Sequence, residues 1–129
     1  MTMKNIIFYI VLIALGSCKI QPVSITNIEW RLVELNGEDV SKINPPLTLS
    51  LDGAHKINGF AGCNRFFGSY ELNESKIQFS GLGSTKMYCQ EKSATEDKYL
   101  KALSEVESFL PKGGRLLLIS KTVLLEFKK

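Results

Sequence analysis

Length, composition and charge set the first limits on this chain. Its 129 residues fit one domain with a short extra segment, because single domains most often run to about 100 to 150 residues. The chain is 44% hydrophobic and 22% charged, so a folded core is expected and disorder is not. The net charge of +3, with both signs interspersed, argues against nucleic acid as a partner.

The N-terminus has the layout of a secretory signal peptide. Lys4 provides a positive charge, and residues 6–15 form an uninterrupted apolar run that ends at Gly16 and Ser17. A membrane span needs about 20 apolar residues, so this run is too short to be a stable anchor by itself.

The sequence Leu-Gly-Ser-Cys at residues 15–18 resembles the bacterial lipobox, in which the signal is cleaved before a cysteine that becomes lipid-modified. We therefore expect residues 1–17 to be a lipoprotein signal peptide and residues 18–27 to be a tether that begins at the lipidated Cys18. Two acyl chains suffice for stable membrane anchoring. Acidic residues directly after Cys18 are lacking, which favours the outer membrane of a bacterial envelope, with the domain facing the periplasm. The alternative is an ordinary secretory signal followed by a coincidental cysteine.

Two further cysteines, Cys63 and Cys89, remain as an even pair once Cys18 is lipidated. Disulfides persist in the envelope compartment, so we favour the prediction that these two cysteines are bonded to each other. Two buried thiols and half of a metal site are the alternatives. A metal site is disfavoured because His55 is the only histidine and no CxxC motif accompanies it.

Residues that alternate between apolar and polar predict a succession of short strands. The clearest lies at residues 47–51, where three leucines alternate with polar residues. The Asp52-Gly53 turn predicts an antiparallel return through residues 55–60. Further strands are predicted at residues 29–35, 66–72, 76–80, 115–119 and 123–127.

One helix is predicted over residues 94–110. Its apolar side chains recur at spacings of three and four, at Tyr99, Ala102, Leu103, Val106 and Leu110. Ser93 to Glu96 form a capping-box pattern at its start, and Pro111 marks its end. Together the elements predict an α+β fold, a strongly curved, barrel-like antiparallel sheet of seven to eight strands with the helix inserted before the last two strands.

A distinctive set of residues surrounds the two cysteines. It comprises Trp30, the run Gly-x-x-Gly-Cys-Asn at residues 59–64, Gly68-x-Tyr70, and Thr85-x-Met87-x-Cys89 followed by Glu96. In order and spacing this set resembles the META domain family, the family of the heat-shock lipoprotein HslJ, over residues 28–128. The resemblance implies that residues 28–129 form one META domain without established enzymatic activity, in a family linked loosely to envelope stress and antibiotic tolerance.

The motif has a structural and a functional interpretation. Glycines 59, 62 and 68 suit positive φ or close backbone approach, and Asn64 can cap a turn. The functional alternative makes four residues the rim of a binding site, with the arginine donating to a carboxylate or phosphate. These residues are Asn64, Arg65, Thr85 and Met87.

A catalytic set is not evident in the sequence. A nucleophile needs a base within reach, and the single imidazole, His55, lies in a predicted exposed turn. We therefore predict a non-catalytic envelope protein without cofactor or metal, which acts through contacts with an envelope protein. The alternative is a carrier of an apolar ligand or acyl chain, with a cavity lined by Trp30, Phe60, Phe79 and Leu103.

Overall fold

The structure, a computed structural model, describes residue 16 and residues 24–129. The predicted signal peptide apart from Gly16, the lipidation site Cys18 and the tether up to residue 23 lie outside the described residues. No helix within the described part of the chain is long and apolar enough to cross a membrane.

Within residues 24–129 the elements confirm the predicted α+β class, mostly antiparallel sheet with one helix. In chain order they are β1 (Glu29–Leu35), β2 (Glu38–Asp39), β3 (Thr48–Leu51), β4 (Lys56–Phe60), β5 (Arg65–Asn73), β6 (Lys76–Ser84), α1 (Ser93–Glu105), β7 (Ser108–Lys112), β8 (Arg115–Ile119) and β9 (Leu124–Lys128).

All strands belong to one antiparallel sheet in the order β2-β1-β3-β4-β5-β6-β7-β8-β9, and β1 also pairs with β9. In that last pairing Arg31 lies opposite Lys128 and Leu35 opposite Leu125. The sheet therefore closes into a ring, with the two-residue β2 as an addition to β1, and closure leaves few exposed edges. The seam between β6 and β7 is the shortest, because within residues 24–129 their register consists of the single pair Lys76 and Ser108.

The inner face of the ring carries the core. In β3 the side chains of Leu49 and Leu51 are fully buried, as the period-two pattern predicts. In β1 the alternation breaks, because the pairing with β9 shifts register between Leu32 and Glu34. Leu35 consequently turns inward, where strict alternation from Trp30 and Leu32 would have buried Glu34 and left Leu35 outside.

Glycine allows the sharp curve between β5 and β6. Where β5 contributes Gly68, β6 contributes both Gly81 and Leu82, which makes a β-bulge. Gly81 has φ +61°, in the left-handed region that favours glycine. A Cβ added at Gly68 would lie 2.9 Å from the Ser80 carbonyl oxygen, so the close approach of the two strands also requires glycine.

Helix α1 packs against the inside of the curved sheet. Its buried Tyr99 meets the Phe66 ring of β5 edge-on, with centroids 5.6 Å apart, and lies 6.3 Å from the Phe127 ring of β9. The Tyr99 hydroxyl donates to the Thr48 carbonyl of β3 at 2.9 Å. One side chain thus contacts three separate positions around the ring, and its burial raises the pKa of the phenol well above its ordinary value.

The helix ends at Glu105, not at Leu110 as predicted, and residues 108–112 form β7 instead. Leu110 is 47% exposed, although its helical spacing suggested the core. Helical spacing over a short apolar run does not exclude a strand, and here pairing with β8 prevails. Three strands therefore follow the helix, so the prediction of two was wrong.

Pro111 is compatible with a strand because of the edge on which it lies. The Phe109 N–H donates to the Ser75 carbonyl at 3.0 Å, on the side of β7 that faces away from β8. Alternation along the strand puts the Pro111 nitrogen on that same edge, so its missing N–H removes no bond to β8.

The packed domain begins before residue 28. Ile25 is buried, and its carbonyl accepts a hydrogen bond from the Trp30 indole at 3.0 Å. The Asn27 N–H donates to the carbonyl of Leu51, the last residue of β3, at 2.7 Å. The end of the stretch predicted as a tether is therefore fixed against the Leu51 end of β3.

Candidate functional site

Cys63 and Cys89 form a disulfide whose Cα atoms are 5.8 Å apart, within the usual range of about 4.4 to 6.8 Å. It joins the turn at residues 61–64, between β4 and β5, to the segment at residues 85–92, between β6 and α1. We call these two stretches, together with Glu96 of α1, the disulfide corner. The pairing agrees with the disulfide that the sequence favoured, and neither cysteine is a free thiol.

Glu96 is the central polar residue of the corner. It is 5% exposed, and its Oε2 atom accepts hydrogen bonds from the backbone N–H groups of Cys63 at 3.0 Å and Asn64 at 2.9 Å. Its Oε1 atom accepts from Nδ2 of Asn64 at 2.9 Å. The carboxylate thereby satisfies the donors of the turn, and these bonds offset the cost of burying a polar group.

The capping box predicted at the start of α1 is absent. Lys92 occupies the N-cap position without a side-chain hydrogen bond, and the Ser93 hydroxyl donates to the Cys89 carbonyl at 2.7 Å. The serine and the glutamate three residues later therefore do not form the reciprocal bonds of a capping box. Glu96 turns toward the disulfide corner and not back toward its own helix start.

Asn64 fastens the segment at residues 85–92 to the turn. Its Oδ1 atom accepts from the Thr85 hydroxyl at 2.9 Å and from the Met87 N–H at 2.7 Å. Its Nδ2 group donates to the Met87 carbonyl at 2.9 Å, besides the bond to Glu96. A side-chain amide offers two donors and two acceptor sites, so all four are in use and none remains for a ligand.

The predicted binding rim divides into two kinds of residue. Its four members do meet at the corner, where the Thr85 N–H donates to the Arg65 carbonyl at 3.1 Å. The side chains of Asn64 and Thr85 are engaged with each other, whereas Arg65 is exposed and Met87 is 65% exposed. Only the last two present side chains to solvent without a hydrogen bond in the described part of the chain.

Two exposed side chains of this region were missed from the sequence. Tyr88 is 82% exposed, and Phe67 is 56% exposed on the outer face of β5. The alternation that buries Phe66 also places Phe67 outside, so the strand pattern contained the signal for Phe67.

The glycines of the motif have the structural roles expected of them. Gly62 has φ +117°, which places it in the left-handed region just before the disulfide. A Cβ at Gly59 would collide with the Thr48 carbonyl oxygen and the Phe66 ring. These two positions therefore shape the turn and the strand that leads into it.

His55 lies apart from the corner, in the exposed turn after β3, as expected. Its φ is +62°, and its ring centroid is 5.6 Å from that of Tyr70. The turn is organised by the carboxylate of Asp52, which accepts from the N–H groups of Ala54 and Lys56 at 2.9 Å each. The positive φ thus falls on His55 and not on Asp52 or Gly53 of the turn motif.

The side chains expected to line an apolar cavity pack into the core. Trp30, Phe79 and Leu103 are at most 5% exposed and belong to one cluster of buried residues. Phe60 is half-buried. Four open grooves on the surface of residues 24–129 are lined by other residues.

The fold and the sequence are similar to those of known proteins. Residues 23–129 match the META domain, and a comparison with curated proteins finds no match. An NMR structure of a protein from Burkholderia xenovorans is 26% identical to this chain and has a TM-score of 0.67. The match covers 81% of this chain and 82% of that protein. A second NMR structure is 24% identical over 78% of this chain and 86% of its own, with a TM-score of 0.63.

A more distant crystal structure shares the fold. It is that of a DUF4847 family protein from Bacteroides vulgatus ATCC 8482, which is 12% identical over 81% of this chain and 93% of its own, with a TM-score of 0.63. At such low identity the likeness concerns the fold alone. The family match covers nearly all of the described domain, and this chain belongs to the META domain family.

Proposed function

We propose that this META-domain protein is a non-catalytic, lipid-anchored protein of the bacterial cell envelope, held at the outer membrane and facing the periplasm. It supports envelope integrity or stress tolerance through contacts with another envelope protein. Support for the anchor comes from the lipobox-like residues 15–18, which follow an apolar run too short to span a bilayer.

The main support for a role in protein contact is that the buried polar side chains of the disulfide corner are hydrogen-bonded within the domain. Among residues 24–129, Asn64 and Glu96 are the buried polar side chains that are not aromatic. A catalytic acid or base must reach a substrate proton, but these two side chains bond to the surrounding chain. They hold a surface segment in place, which suits a binding surface.

The filled interior favours protein contact over ligand carriage. A carrier needs a cavity that encloses most of its apolar ligand. The side chains that would line it, Trp30, Phe79 and Leu103, are packed among other core residues.

Lipid attachment is tested by Cys18→Ala. In cells given labelled palmitate, we expect the wild-type protein to be labelled and to fractionate with membranes, and the variant to lose both properties. Cys89→Ala is the control, since it removes a cysteine outside the lipobox and is expected to keep the label. Equal labelling of the Cys18 variant would contradict the anchor.

The envelope role is tested by deletion. Cells without the protein are expected to lose viability in detergent or heat, and wild-type protein is expected to restore it while Cys18→Ala is not. Full rescue by the unanchored variant, or unchanged tolerance after deletion, would contradict the proposed role.

A further inference from the structure

Exposed side chains at the disulfide corner and on the adjoining start of β5 have the composition of a protein interface. Tyr88, Met87 and Phe67 are 82%, 65% and 56% exposed, and Arg65 and Lys86 are exposed as well. Aromatic residues, methionine and arginine are the types enriched where proteins meet. We call these five residues the corner surface.

Strand pairing brings the corner surface together. Arg65 and Phe67 point outward from the same face of β5. Phe67 lies opposite Gly83 of β6, and a Cβ at Gly83 would be 2.8 Å from the Phe67 ring, so the ring rests over the glycine. Because the Thr85 N–H bonds to the Arg65 carbonyl, residues 86–88 continue from β6 at the Arg65 end of β5.

The exposed segment is held in place although it has no regular secondary structure. Asn64 bonds to Thr85 and to both backbone groups of Met87, and Cys89 is tied by the disulfide. Ordering a flexible segment on binding opposes association, so a segment that is ordered beforehand binds more tightly. These bonds therefore fit a surface organised in advance for a partner.

The corner surface lies away from the point where the tether enters. Asn27, the last residue of the predicted tether, bonds to Leu51 at one end of β3. At the other end, the Thr48 hydroxyl accepts from the N–H of Phe60, the residue that leads into the disulfide turn. The two ends of β3 are roughly 10 Å apart at about 3.4 Å per residue. The corner surface therefore lies at the end of β3 opposite the one at which the chain enters the domain.

The charges at this surface indicate the chemistry of the occupant. Arg65 and Lys86 border the exposed apolar side chains, and neither belongs to the ion pairs formed within residues 24–129, which join Lys98 to Glu38 and Arg115 to Glu126. Acidic side chains around an apolar contact would complement them.

From these observations we propose that the corner surface docks an envelope protein that presents an apolar patch bordered by aspartate or glutamate. This deepens the proposed function and rests on it, since it names the surface through which the anchored protein makes its contact. A lipid headgroup surface is the competing occupant, and the experiment below separates the two.

Site-specific photo-cross-linking of the full-length protein in its own cells tests the proposal. p-Benzoylphenylalanine replaces Tyr88, Met87 or, as a matched control, Leu110, which is 47% exposed on β7. We expect one protein adduct of the same mass from Tyr88 and Met87 and none from Leu110.

Combining Arg65→Glu with Lys86→Glu is expected to lower the yield of the Tyr88 adduct about tenfold or more, with the thermal unfolding midpoint unchanged.

Four outcomes would overturn the proposal. They are an equal adduct from Leu110, an adduct that charge reversal does not change, an adduct of lipid mass, and no adduct from either corner position. Palmitate labelling is measured in the same cells. Labelled protein without a corner adduct refutes the surface alone, whereas a charge-dependent corner adduct on unlabelled protein refutes the anchor and leaves the surface standing.

Discussion

The barrel core and the disulfide corner are held together by different forces. The core packs apolar side chains such as Trp30, Leu49 and Leu103, each at most 1% exposed, from the sheet and the helix. The corner depends on directed bonds, from Glu96 and Asn64 to defined backbone groups and from one cysteine to another. Burial depends on area and tolerates many partners, whereas each bond in the corner needs one particular partner. The core therefore depends on the apolar area it buries, whereas the shape of the exposed corner depends on a few individual bonds.

Truncation in the core is the largest expected disturbance. Leu103 is fully buried near the end of α1, so Leu103→Ala should lower the free energy of unfolding by about 2 to 5 kcal/mol through the cavity it leaves. Urea titration measures the change. The control is Ser104→Ala at the exposed neighbour, expected to change stability by no more than about 0.5 kcal/mol. Similar small effects for both variants would mean that the helix is not packed in the core.

Removal of the disulfide tests how far the corner contributes to global stability. Its cysteines are 26 residues apart, so the double variant Cys63→Ser, Cys89→Ser should lose roughly 3 to 4 kcal/mol in the chain-entropy view. The barrel core should survive, because the double variant keeps every buried apolar side chain of the ring. The measurements are urea titration and amide hydrogen exchange, with faster exchange expected at residues 85–92 than in β3. Uniformly faster exchange would show that the corner and the core unfold as one unit.

Loss of the Glu96 carboxylate tests the directed bonds of the corner. Glu96→Ala leaves the buried N–H groups of Cys63 and Asn64 without their acceptor, at a cost of about 2 to 4 kcal/mol. Asp97→Ala is the matched control at the exposed adjacent position, with an expected change within about 0.5 kcal/mol. If the two variants were equally stable, the carboxylate would not be the acceptor that holds the turn.

Tyr99 connects the two kinds of force, since its ring packs in the core while its hydroxyl bonds to Thr48. Tyr99→Phe should cost about 0.5 to 1.5 kcal/mol at neutral pH. Burial raises the pKa of Tyr99 in the folded state, so its contribution is complete below about pH 10, the ordinary tyrosine pKa. That contribution is lost as pH rises further, because the unfolded chain then ionises first.

The difference in free energy of unfolding between wild type and Tyr99→Phe should therefore narrow above about pH 10. Urea titrations at pH 7 and above pH 10 measure it. A difference that stays constant or widens would mean that the phenol is not buried as the structure shows.

Residues whose environment depends on chain neighbours were predictable, and residues whose partner is distant were not. Alternation correctly assigned Leu49 and Leu51 to the interior, and helical spacing assigned Tyr99 and Leu103. Glu96 was assigned to a capping box because the sequence shows what lies three residues away and not what lies 33 residues away in the turn. The same limit concealed how fully Asn64 is engaged by the segment beyond β6.

By itself the sequence determined the α+β class, the apolar face of α1, the family resemblance and the pairing favoured for Cys63 with Cys89. These follow from local periodicity, turn chemistry and residue spacing, all of which are written along one chain. Only the tertiary structure decided that residues 108–112 extend the sheet, that Glu96 serves the turn, and that Tyr88 and Met87 are presented together at the surface. Each of these depends on strand pairing or on a bond between segments far apart in sequence, and local propensity does not specify such partners.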